Sequence, residues 1–236
     1  MFFIPYGTRE NEPRRSFPFV TVALVLLNLV LFGYEAYLLG TMGEPGLTEF
    51  LGRYAATPAN IVNGPFLQIG LLTSMFLHAG LLHFLGNMLY LLPFGDNVED
   101  RLGHFRYLLF YVLCGLAATL LFIAFNRSSM VPLLGASGAI AGVLGGYLVL
   151  HPRGTVKGIF FIIIIFLRVD LPAILFIGYW FIMQLFNSVA SFDGGEGSSG
   201  GVAFLAHVGG FLAGVVLAPL LARRGGNPVR YRPASP

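Results

Sequence analysis

Apolar residues run along this chain in long blocks, broken by clusters of glycine, proline and charge. A helix rises 1.5 Å per residue, so about 20 apolar residues cross the hydrocarbon core of a bilayer. The pattern predicts helices over Phe17–Leu39, Leu81–Phe94, Phe105–Phe125, Ala136–Leu150, Leu171–Ala190 and Val202–Ala222. The expected fold class is therefore an all-α membrane protein, a bundle of six transmembrane helices. The fourth block falls about five residues short of a full span, or roughly 7 Å, so its N-terminus is expected to start inside the bilayer.

Between the blocks, Gly40–Gly80 reads as a long outer loop. Its apolar residues, among them Phe50, Leu51, Ile61, Val62 and Phe66, suggest short helices at the membrane surface. His151–Asp170 combines Pro152, Lys157 and Arg168 with a very apolar middle. It is expected to dip into the cytoplasmic interface, or to extend the fifth helix. The last outer loop, Ser191–Gly201, reads SFDGGEGSSGG and is expected to move. The chain thus divides into a cytoplasmic segment over 1–16, a membrane domain over 17–222 and a disordered basic tail over 223–236.

Composition supports lipid as the solvent: 56% of residues are hydrophobic, 11% are charged, and the mean hydropathy is +0.77. The net charge of +3 could suggest a nucleic-acid partner, but the basic residues sit beside helix ends and form no stripe, so none is expected. With the N-terminus inside, twelve of the fourteen Lys and Arg residues fall on the cytoplasmic side, against Arg53 and Arg127 outside. An even number of spans then places both termini in the cytoplasm. No small-residue cleavage site follows the first apolar run, so that helix is expected to be retained. The one cysteine, Cys114, can form no disulfide within the chain and reads as packing.

Polar side chains inside spans are costly and draw attention first. They are His83 and Asn87 in the second helix, Ser137 at the start of the fourth, and His207 near the start of the sixth. All three helices run from outside to inside, which puts the four residues in one layer near the outer face. Gly135, Gly138 and Gly142 surround the serine, and Gly210 and Gly214 share a helical face with His207, so the two helices can approach closely. A serine and a histidine within about 3 Å can act as nucleophile and general base. His83 and Asn87, four residues apart, could donate to an oxyanion together with the Ser137 N–H. No acid recommends itself as a third member: Asp193 and Glu196 lie in the flexible loop, and Glu35 can reach the interface. A dyad is the expectation.

These residues resemble the rhomboid intramembrane serine proteases. GASGAI over Gly135–Ile140 matches the catalytic serine motif of that family, and HVGGFLAG over His207–Gly214 matches its histidine motif. His83 and Asn87 match its His-x-x-x-Asn element, flanked by TSMFLH from Thr73 and EDRLG from Glu99. The resemblance spans Thr73–Gly214. It implies a six-helix fold with a water-filled cavity opening outward, a Ser137–His207 dyad, and single-span membrane proteins as substrates. It also implies a mobile fifth helix, with Trp180, Phe176 and Phe181 as candidates for a gate and Ser191–Gly201 for a cap. No cofactor is required and no oligomeric state is implied; the minimal six-helix form points to a bacterial-type inner membrane, with an organelle membrane as the alternative. Two departures stand out. Ile69 and Gly70 replace a Trp-Arg pair of many members, and Ala141 stands where some carry an aromatic residue against the histidine, so another residue must hold that ring.

Duller roles exist for each group. His78, His104 and His151 lie at or beyond helix ends, where solvation would explain them, and Glu99 and Arg101 would tie down the inner end of the second helix. A metal on His78, His83 and His207 is the alternative chemistry, although no thiolate or carboxylate joins them and His-Glu-x-x-His is absent. A non-catalytic protein that binds or chaperones transmembrane helices is the alternative from another functional class.

Overall fold

The computed structural model describes residues 2–10, 16–64, 68–162, 165–193 and 204–223. In chain order its elements are β1 (Phe2–Arg9), α1 (Phe19–Tyr54), α2 (Pro58–Asn63), α3 (Gly70–Thr73) and a 3-10 turn at Ser74–Phe76. After these come α4 (Leu81–Leu102), α5 (His104–Phe125), α6 (Ser137–Leu150), β2 (Thr155–Ile162), β3 (Ile165–Pro172), α7 (Ala173–Asp193) and α8 (Phe204–Leu221). Each of the six predicted helices has a helical counterpart, in α1, α4, α5, α6, α7 and α8. By length and apolarity α1, α5 and α8 can each cross a membrane. The segment Gly70–Phe76 with α4, bent by 88°, makes a fourth candidate, and α6 and Ala173–Ser188 of α7 are shorter apolar helices.

The centre of the bundle is α6. Every residue from Gly138 to Tyr147 is buried, as suits a helix that is apolar on all sides. Its glycines set the packing distance to α8. A Cβ on Gly210 would overlap the Gly138 carbonyl oxygen, and one on Gly214 the Gly142 oxygen. Cys114 packs against Gly142 as a buried free thiol, as its apolar setting suggested.

Helix α4 runs eight residues past its predicted end at Phe94. The polar residues that seemed to end it are enclosed by neighbours. Glu99 is fully buried and accepts hydrogen bonds from the Val20 N–H (2.9 Å), the Thr21 N–H (2.8 Å) and the Thr21 hydroxyl (2.7 Å), and its carboxylate lies 2.6 Å from His104 Nδ1. Pro18 at the cap of α1 makes no capping hydrogen bond, so the first-turn N–H groups take their acceptor from α4. Glu99 thus secures the start of the first predicted helix as well as the end of the second. His104 is this carboxylate's partner, which corrects the reading of that histidine as merely solvated.

Beyond Leu39, α1 continues to Tyr54 through a kink at Gly43, whose φ of 67° suits glycine, with Pro45 just after it. With α2 and α3, this makes the expected long outer loop largely helical.

The all-α expectation fails at one end of the molecule, where β1, β2 and β3 form an antiparallel sheet in that order. His151–Asp170 does not extend the fifth helix. Most of it forms a β-hairpin, and Phe2–Arg9 pairs along its first strand, with Phe3 opposite Phe160 and Arg9 opposite Thr155. The run is rich in Ile, Phe and Val, which favour strands, but a continuous apolar run has no period that separates strand from helix. The N-terminal strand is fastened to α4, since Asn97 Nδ2 donates to Thr8 Oγ1 at 2.8 Å. The C-terminal tail lies outside the described residues.

Candidate active site

Ser137 is the first residue of α6. Gly135 just before it has a φ of 130°, a conformation open to glycine, and its N–H donates to the Ser74 carbonyl at 2.8 Å. The first helical bond of α6 runs from the Ile140 N–H to the Ala136 carbonyl, so the helix itself offers the Ser137 N–H no acceptor. His207, in the first turn of α8, is 9% exposed. Its Nε2 lies 2.8 Å from Ser137 Oγ, across 70 positions of sequence. The glycine-to-backbone contacts of α6 with α8 make this approach possible.

On its other side the imidazole meets α7. Gln184 Oε1 lies 2.8 Å from His207 Nδ1, and the Trp180 ring centroid is 5.9 Å from the imidazole. These two residues hold the ring in place of the aromatic group missing at Ala141. Sequence reasoning missed Gln184. The available signal was an uncharged amide within an apolar block, four residues after Trp180 and so on the same helical face.

His83 and Asn87 project from α4 into the same space. The Ala79 N–H donates to His83 Nδ1 at 3.3 Å, so Nδ1 is the acceptor and Nε2 carries the proton. The ring lies against Gly135, where a Cβ would come within 2.9 Å of His83 Nε2 and 3.5 Å of Ser137 Oγ. Asn87 Nδ2 is buried and has no hydrogen-bond partner among the described residues. Such a donor costs about 1–3 kcal/mol unless an acceptor arrives. Ser137, His207, His83, Asn87, Gly135 and Trp180 all line one cavity of about 510 Å³.

Other polar groups fall differently from expectation. His78 is 4% exposed, and Glu35, expected to reach the interface, is 3% exposed and accepts the His78 backbone N–H at 3.1 Å. His151 is half-buried, its ring against Tyr147. Burial by neighbouring helices, which helix ends in a sequence do not reveal, accounts for these corrections. His78 and His83 are neighbours, with ring centroids 5.4 Å apart, yet no group of three or more candidate metal ligands occurs among the described residues. Of the three residues named for a gate, Trp180 lines the cavity, Phe181 stacks on Phe211 at 4.2 Å, and Phe176 packs away from it against Phe3 at 5.0 Å. The cap expected over Ser191–Gly201 lies, from residue 194 onward, outside the described residues.

Comparison with known proteins bears on the same residues. RHOMBOID-like protein 1 of Arabidopsis thaliana is 33% identical over 155 residues, which is 56% of this chain and 39% of that protein. Rhomboid protease GluP of Bacillus subtilis is 33% identical over 132 residues, 56% of this chain and 24% of that protein. Rhomboid protein 1, mitochondrial, of Saccharomyces cerevisiae is 30% identical over 135 residues, 55% of this chain and 38% of that protein. The chain therefore matches well under half the length of each of these relatives. The family model of the Rhomboid domain matches residues 67–224, from the segment before α3 to the end of α8 and across all four residues singled out above. With most of its length inside that match and its helices apolar enough for lipid, this chain is an integral membrane protein that belongs to the rhomboid family.

Proposed function

We propose that this protein is an intramembrane serine endopeptidase that cuts single-span membrane proteins in or near their transmembrane segments. The observation that carries the reading is the 2.8 Å contact between Ser137 Oγ and His207 Nε2 inside a cavity that also holds an amide donor, Asn87 Nδ2, with no partner among the described residues. Ser137 Oγ attacks the scissile carbonyl while His207 Nε2 takes its proton. The oxyanion is met by the Ser137 N–H, His83 Nε2–H and Asn87 Nδ2, aided by the positive end of the α6 dipole. Collapse of the tetrahedral intermediate expels the amine, which takes the proton from His207. Water, deprotonated by the same imidazole, then hydrolyses the acyl-enzyme. No cofactor takes part. In this reading the helices make six spans, both termini are cytoplasmic, and the cavity opens to the outer side of a bacterial-type inner membrane.

The test uses purified wild type, Ser137→Ala and His207→Ala, each incubated with a fluorescent fluorophosphonate and with a single-span substrate. Labelling and cleavage by the wild type alone is the expected result. Three folded proteins that neither label nor cut would transfer the family role to non-catalytic binding of transmembrane helices.

A further inference from the structure

A neutral imidazole carries one proton on two nitrogens. To accept from Ser137, His207 must leave Nε2 bare and hold the proton on Nδ1. That Nδ1–H, buried with the ring, then requires an acceptor. In the opposite tautomer the ring would donate to Ser137 Oγ and could not take its proton. The choice between the two forms rests on what stands opposite Nδ1, and there the structure has Gln184 Oε1 at 2.8 Å.

We propose that Gln184 is the positioning residue of the proposed protease: its side-chain carbonyl locks His207 in the Nδ1–H tautomer that can act as base. This rests on the serine-protease reading, and it adds a neutral third member to the expected dyad. An amide can orient the ring and select the tautomer, but unlike a carboxylate it brings no full charge to the imidazolium.

The surroundings suit that task. Gln184 is 9% exposed and Ser188, one turn on, is 6% exposed, with the Ser188 hydroxyl donating to the Gln184 backbone carbonyl at 2.7 Å. Trp180, one turn earlier on the same face, flanks the imidazole. Lower on the helix, Ala173 and Ile177 are fully buried, and Phe176 joins Phe3 and Tyr90. The opposite side of α7 is bare: Tyr179, Ile182 and Phe186 are exposed by half or more. One stripe of α7 therefore holds the helix in place and reaches the base. A lateral shift of 1–2 Å would break a hydrogen bond of ordinary length, so docking of α7 and readiness of His207 are coupled.

The experiment compares wild type, Gln184→Met, which keeps the volume and removes the acceptor, and Gln184→Glu, which restores it. The ring nitrogens of ¹⁵N-histidine-labelled protein are read by NMR, with His207→Ala assigning the signal, alongside kcat and KM on a single-span substrate. The expected result is an Nδ1–H tautomer in wild type and Gln184→Glu, and a mixed or Nε2–H tautomer in Gln184→Met. Alongside it, kcat of Gln184→Met falls on the order of 10- to 100-fold with KM within about twofold, and Gln184→Glu recovers most of the loss. An Nε2–H tautomer in wild type, or an unchanged kcat in Gln184→Met, would overturn the assignment. Wild type that neither cuts nor labels with fluorophosphonate would strike the protease reading instead. The NMR comparison needs no substrate and still decides whether Gln184 sets the tautomer.

Discussion

The Cα of Gly210 faces the carbonyl oxygen of Gly138 so closely that a Cβ on Gly210 would overlap it. The atom in the way is backbone, so no rotamer change can relieve the overlap. Gly210→Val should therefore push α8 off α6, destabilise the protein by about 3 kcal/mol or more, and draw His207 away from Ser137. Thermal unfolding in detergent and fluorophosphonate labelling measure the two effects. A variant with wild-type melting and labelling would show that the helices do not meet through this pair.

Asn87 offers a separable case, because its buried Nδ2 has no partner among the described residues. In Asn87→Leu that orphan donor is gone, so stability should hold or rise, whereas kcat should drop by about 100-fold for want of an oxyanion donor. Loss of stability with full turnover would make Asn87 a structural residue.

Gly135 tests the approach of His83. Its φ of 130° disfavours any side chain, and a Cβ would come within 2.7 Å of the His83 ring. Gly135→Ala should displace that ring, lowering activity at least about 10-fold while the bundle still folds. Steady-state kinetics beside a melting curve would check it; undiminished turnover would mean that the His83 position is not critical.

Glu99 sits sixteen residues from His83 on α4, or about 24 Å along a straight helix. Its carboxylate serves the start of α1 and His104 from a fully buried position. Glu99→Ala should cost about 3 kcal/mol in unfolding experiments while activity per folded molecule stays near that of wild type. A selective loss of activity at unchanged stability would contradict this role.

The residues that line the candidate site are largely legible in the sequence. Ser137, His207, His83 and Asn87 stand out because a polar group among apolar residues in lipid calls for a reason, and the glycine spacing around Ser137 and His207 announces close packing. Gln184 does not stand out in the sequence, because an amide in an apolar helix carries no charge to mark it, and its importance depends on the atom it faces. Their places near helix ends suggest that Glu35 can reach the interface and that His78 is solvated, but packing buries both.

The sequence by itself determined six apolar helices, their order, and the four polar residues that share a cavity. Each follows from local content: apolar length against bilayer thickness, and helical spacing within one element. Only the tertiary structure decided the sheet, in which Phe2–Arg9 pairs with a strand some 150 residues later, and the bond from Gln184 to His207. A strand's hydrogen-bond partners, and the acceptor opposite a buried N–H, lie on other elements, so they become definite only when those elements are packed together.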